Sequence, residues 1–216
     1  EEIHMIITIG GEYGCGGKRI AEKAAELLGY TLCDDQLVLD AAKHSKTDLE
    51  AEVFRYFDES QGSASARELS MLSSAQANLH IAVTSLAVDT LPLDRRMAQI
   101  QNKLFHDLAG KGSCIFLGRC ADHYLQDCPD RISIFIIDDP VIRVRRVMEH
   151  FQIDEPSAAK LVRKTDKRRR DYYAFFTGKT WGDMGNYDLV LRCSLLGVDG
   201  SAQLLGQIFQ AKAQTL

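Results

Sequence analysis

No two cysteines in this chain are spaced as CxxC, and the six present (15, 33, 114, 120, 128 and 193) show no metal-ligand spacing. Several sit inside apolar runs such as "GSCIFLGRC". That context suits reduced, buried thiols and excludes a disulfide scaffold or a zinc ribbon as the organising feature, so no residue is assigned to a metal. No apolar run approaches the ~20 residues that span a bilayer, and no signal-peptide pattern opens the chain, so the expectation is a soluble cytoplasmic protein with no membrane partner. An excess of positive charge is also missing. The net charge of −4 argues against general nucleic-acid binding. The six histidines (4, 44, 80, 106, 123 and 150) are scattered, and none stands beside a Cys or Ser in a triad-like context, so they receive no chemistry.

What is present reads as one domain over residues 1–216, with 45% hydrophobic and 26% charged residues, enough to bury a real core. Five short apolar runs look like buried strands: Met5–Ile9, Tyr30–Cys33, Ser113–Leu117, Ile132–Ile137 and Asp188–Arg192. Helical patterns separate them, at 17–29, about 35–58, 64–88, 93–110, 119–127, 140–150, 156–177 and 199–213. Strands alternating with helices predict an α/β fold whose parallel sheet is covered on both faces and binds ligands at the carboxyl ends of its strands. Residues 40–110 read as a helical insertion between the second and third strands, and 156–182 as a second, basic excursion.

Between the first strand and the first helix the chain places five glycines in eight residues, Gly10 to Gly17. A strand, a glycine-rich turn and a helix N-terminus make an anion site, because amides converge there and the helix dipole favours negative charge. A tight turn that binds nothing needs two glycines, so five point to phosphate, with glycine allowing positive φ and close approach. Gly11 and Gly16 carry the separation of the pattern GxxxxGK[ST], but Gly17 follows where lysine belongs, and Lys18 stands where the Mg²⁺-binding hydroxyl belongs. The dinucleotide fingerprint GxGxxG fits less well, since Gly14-x-Gly16 would require a small residue at Arg19.

Other charged groups gather at strand ends. "LGRCAD" sets Arg119 and Asp122 just past the third strand, where a guanidinium can clamp a phosphate through two bonds or simply join a surface ion pair. Asp34 and Asp35 follow the second strand, where either can cap a helix or orient a phosphate acceptor. The run "KLVRKTDKRRRD" (160–171) carries +5, leaving −9 for the rest of the chain. Such a run is usually a solvated face. On an acidic protein it also suits a lid that closes over polyphosphate. Cys15, at the mouth of a helix, reads as an oxidation-sensitive thiol with a lowered pKa. Trp181 reads as a packing anchor.

Four segments together resemble the cytidylate kinase-like family: "GGEYGCGGKRIAEKAAELLGY", "CIFLGRCADHYL", "DKRRRDYYAFFTGKTWGD" and "NYDLVLRCSLLG". The resemblance runs over about 5–213 and implies a three-layer α/β/α P-loop NTPase fold with a five-stranded parallel sheet. In that family's plan the insertion at 40–110 binds the acceptor and 156–182 forms the lid. The implied activity is ATP-dependent phosphoryl transfer, with Mg²⁺, to a nucleoside monophosphate, CMP or dCMP first. The implied roles are nucleotide binding by Gly11, Gly14, Cys15, Gly16, Gly17 and Lys18, and acceptor binding by Asp34, Arg119 and Asp122. Lys18, Arg119, Lys167, Arg168 and Arg169 would carry catalysis. The displaced Lys18 and the missing hydroxyl keep two rivals open: a nucleotide sensor without turnover, and the kinase of another small molecule. The apolar stretch "LHIAVTSLAV" (79–88) suits either core or a homodimer face.

Overall fold

The computed structural model describes residues 4–34, 37–38 and 93–213. Apart from residues 37–38, the expected helices at about 35–58 and 64–88, the apolar stretch 79–88 and Asp35 lie outside the described residues. Five strands form one sheet in the order β2-β3-β1-β4-β5. They are β1 Ile6–Gly11, β2 Thr31–Cys33, β3 Cys114–Leu117, β4 Arg131–Ile137 and β5 Leu189–Arg192. Every pairing is parallel, with Ile7 opposite Ile115 on one side of β1 and Ile132 on the other. The described helices are α1 Gly17–Leu28, α2 Leu93–Ala109, α3 Ala121–Tyr124, α4 Pro140–Phe151, α5 Glu155–Thr177 and α6 Cys193–Ala213. The three-layer fold expected of a P-loop kinase is the fold observed.

The pleat sorts the core into two layers. Ile7, Ile9, Ile115, Ile134 and Ile136 point to the face covered by α1 and α6, where Ile20, Ala21, Ala24, Leu205 and Phe209 meet them. Cys114 and Phe116 point to the opposite face, against Phe105 of α2, Ala121 and Tyr124 of α3, and Tyr172 and Tyr173 of α5. Burying a side chain of this size stabilises by about 1.5–3 kcal/mol, so the two layers hold the strands in register. A smaller cluster, Val147, Ala158 and Val162, joins α4 to α5 and takes in Tyr13 from the glycine loop. Trp181 packs edge-on against Phe135, with ring centroids 5.2 Å apart.

Three boundaries differ from the expectation, each for a local reason. β1 runs on through Gly10 and Gly11, which pair with Phe135 and Ile136. A Cβ on Gly11 would stand 2.7 Å from the Ile136 carbonyl oxygen, so glycine is needed there for strand packing. The helix expected at 119–127 shrinks to Ala121–Tyr124, because Gly118, Arg119 and Cys120 take φ of 72°, 55° and 57° and no helix continues through them. The last helix begins at Cys193 rather than 199 and breaks at Gly197, where φ is 67° and ψ −179°.

Candidate active site

All five strands are parallel, so their carboxyl ends share one edge, and the loop from Glu12 to Gly16 lies on it between β1 and α1. Its carbonyls are all spoken for. Arg169 of α5 donates to the Gly11 oxygen at 2.7 Å, and the Cys15 amide to the Glu12 oxygen at 3.2 Å. Arg143 of α4 donates to the Tyr13 oxygen at 3.2 Å, and Arg146 to those of Gly14 and Cys15 at 3.2 and 2.9 Å. The Ile20 amide takes the Gly16 oxygen at 3.1 Å.

The amides are treated differently. That of Tyr13 donates to Asp166 Oδ1 at 2.8 Å and that of Gly17 to the Cys15 sulfur at 3.3 Å. Those of Gly14, Gly16, Lys18 and Arg19 have no hydrogen-bond partner among the described residues. A loop with its acceptors bound and its donors open at a helix N-terminus has the polarity of an anion receptor.

The arginines that bind the carbonyls are themselves fixed. Arg143 meets Asp166 Oδ2 at 2.6 Å and Glu12 at 3.4 Å. Arg146 meets Asp138 Oδ2 at 2.5 Å. Burial pushes the Asp138 carboxyl up, but hydrogen bonds from Ser194, Arg146 and Asp139 outweigh it and hold the group below its ordinary range. The Arg169 guanidinium also lies 5.5 Å above the Tyr13 ring. These groups follow from local sequence. β4 ends at "DDP", Asp139 caps α4 by accepting the Val141 amide at 2.8 Å, and Pro140 opens that helix. Arg143 and Arg146 are then three apart on one helical face, turned to the loop.

The sequence-derived candidates divide. Gly14 and Gly16 sit in the loop at φ 78° and 94°, and added Cβ atoms there would meet the Arg143 carbonyl oxygen at 2.8 Å and the Cys193 sulfur at 3.2 Å. The glycines at these two positions therefore answer to close packing against α4 and α6. Cys15 corrects the expected reactive thiol: it is buried, and burial pushes its pKa up to about 12 against the helix-end effect. It serves as a packing and capping group. Lys18 is on the open side of α1, its side chain 64% exposed and 3.9 Å from Glu22.

The basic run is not one lid face. Arg168 and Arg169 are half-buried toward the loop, whereas Lys167 is exposed and pairs with Asp171 at 2.6 Å. Arg119 is buried at the end of β3 within the left-handed turn of residues 118–120. Strain of that kind collects where a fold positions a functional side chain. Asp122 accepts from the Tyr173 hydroxyl at 2.7 Å, and burial raises its carboxyl. Asp34 takes the cap geometry, accepting the Leu37 amide at 3.0 Å. In strand order β2-β3-β1-β4, Asp34, Arg119 and Asp122 lie to one side of the glycine loop and the α4 arginines to the other.

Sequence reading passed over Glu12, Asp138, Arg143, Arg146 and Asp166. The signal for the arginines was available in the i, i+3 pair just after "DDP". For Asp166 it was an acid inside a basic run, which averages away when charges are summed.

Residues 6–195 match the cytidylate kinase-like family. Among solved structures, an uncharacterized protein from Eubacterium ventriosum is similar at 26% identity and a TM-score of 0.68, with 96% of this chain and 99% of that one covered. A shikimate kinase from Bacteroides thetaiotaomicron (11% identity, 95% and 98% covered) and one from Acinetobacter baumannii in complex with shikimate (12%, 97% and 95%) both reach a TM-score of 0.47, too distant to bear on function. The curated proteins hold no significant match to the chain. Among the described residues no helix is long and apolar enough to cross a membrane.

Proposed function

The chain belongs to the cytidylate kinase-like family, and from that premise we propose that it is a nucleotide-dependent phosphotransferase moving the γ-phosphoryl of ATP to a nucleoside monophosphate. CMP or dCMP is the first choice of acceptor, by resemblance alone. One observation carries the reading: every carbonyl from Gly11 to Gly16 is bound, while the amides of Gly14, Gly16, Lys18 and Arg19 have no partner among the described residues. Those four amides are the proposed cradle for the β- and γ-phosphates.

Phosphoryl transfer needs positioning and charge neutralisation more than covalent chemistry. In this reading Arg119 grips the acceptor's phosphate as a planar fork, with Asp34 and Asp122 beside it on the β2–β3 side. Arg168 and Arg169 approach the transferring group from the β4 side. Lys167, facing solvent, would join only if α5 moves. Arg146 and Arg143 set the loop's shape, which makes them positioning residues. Magnesium enters as part of the nucleotide substrate. The carboxylates beside the loop do not fit a direct ligand role, because Asp138 and Glu12 are already committed to arginines and amides.

The exposed Lys18 favours a second reading, a nucleotide sensor without turnover. Coupled measurement of ADP release with MgATP and a panel of monophosphates separates the two. Turnover with one base supports the kinase and names its acceptor. ATP binding with no turnover on any acceptor leaves the sensor.

A further inference from the structure

At the opposite edge of the sheet, where β4 begins, the last turn of α2 meets the loop that follows α3. His106 Nε2 lies 3.1 Å from the Tyr124 carbonyl oxygen and 3.5 Å from Asp127 Oδ1. With the Cys128 sulfur these make one nitrogen, one oxygen and one sulfur donor, all within 4.8 Å of one another. We propose that His106, Asp127 and Cys128 form a binding site for a divalent transition ion, zinc by the chemistry of the donors.

Magnesium and calcium take oxygen ligands and are poorly served by imidazole and thiolate, whereas zinc binds this mixture readily. Zinc bonds of about 2.0–2.3 Å in a tetrahedron set the ligand atoms roughly 3.3–3.8 Å apart. The His106–Asp127 separation already has that value, and the Cys128 sulfur lies within 4.8 Å of both, so small side-chain rotations of Cys128 and of the exposed Asp127 close the remainder. On binding, the neutral imidazole gives up the Nε2 proton it donates to the Tyr124 carbonyl and takes one at Nδ1 from solvent, Nε2 turns its lone pair to the metal, and Cys128 releases one thiol proton to solvent. Water completes the fourth position. The ion would pin the end of α2 to the α3–β4 loop, where Phe105 already meets Tyr124 edge-on with centroids 5.9 Å apart. No sequence motif announces this site, because its members come from separate elements and only the fold joins them.

The test uses the full chain stripped with a chelator and titrated with Co²⁺, then Zn²⁺. The expected result is one equivalent of cobalt giving a thiolate-to-metal charge-transfer band, displaced by zinc, with a higher melting temperature in zinc. Cys128→Ser should abolish the band. Asp127→Asn, at an exposed position that folding tolerates, should weaken the metal at least about tenfold. His106→Gln should do the same, and decides the matter if the Cys128 variant fails to fold. No band in the wild type, a band that survives Cys128→Ser, or zinc stabilisation unchanged in Asp127→Asn would overturn the proposal.

Discussion

Asp166 ties the basic helix to the glycine loop, and removing it should be felt in the whole fold. Its side chain is 7% exposed, with Oδ1 holding the Tyr13 amide at 2.8 Å and Oδ2 holding Arg143 at 2.6 Å. In Asp166→Ala the Tyr13 amide loses its acceptor, which costs about 1–3 kcal/mol when buried. Leaving a buried arginine without its partner costs about 3–5 kcal/mol, but Glu12 at 3.4 Å still faces Arg143, so the low end applies. The two losses overlap, giving about 3 kcal/mol in all. At this chain length each kcal/mol moves the midpoint by about 2–4 °C, so calorimetry should show a fall of about 6–12 °C. Asp166→Asn keeps an acceptor for Tyr13 and should lose roughly half as much. A midpoint for Asp166→Ala within about 2 °C of wild type would refute this account of how α5 holds the loop.

Cys15 should resist alkylation by iodoacetamide in the native chain and react once unfolded, as read by mass spectrometry. Its folded pKa is raised to about 12 from an ordinary value of 9.0, so the stability it contributes is whole below pH 9.0 and declines as pH rises toward 12. Urea titrations of wild type and Cys15→Ala across that window should diverge in slope, and parallel curves would contradict the assignment. Arg119→Lys should raise the acceptor's KM about 5- to 100-fold, the range expected for losing a bidentate grip, while that for ATP barely moves. An equal effect on both would remove Arg119 from the acceptor side. Gly14→Ala puts a Cβ 2.8 Å from the Arg143 carbonyl oxygen, so the loop must shift away from α4 and ATP affinity by calorimetry should fall about tenfold, or ~1.4 kcal/mol. Gly29→Ala bears only the backbone cost, since nothing lies within 4 Å, and should bind ATP as wild type does.

The sheet was legible because β-branched and apolar runs of four to six residues, separated by helical periods, have few other ways to be buried. All five strands fall where those runs lie, and the ends shift by a residue or two. The glycine count did not show what each glycine serves. Gly10 and Gly11 are strand residues beside Phe135 and Ile136, and Gly14 and Gly16 yield space to α4 and Cys193. Composition reports that backbone freedom or space is needed, not which neighbour demands it. Cys15 failed for a related reason: its helix-end position was visible, its burial was not. The arginines that organise the loop come from α4, more than 120 residues away along the chain. Only the parallel register of β1 and β4 brings them together.

The amides of Gly14, Gly16, Lys18 and Arg19 are the heart of the account, and amide NMR of the ¹⁵N-labelled chain under MgATP titration addresses them one by one. The expected result is that these four resonances shift most and saturate together with ATP binding measured by calorimetry. If ATP binds while those resonances stay in place, or does not bind at all, the glycine loop is not a polyphosphate cradle and the proposed phosphotransfer has no donor site.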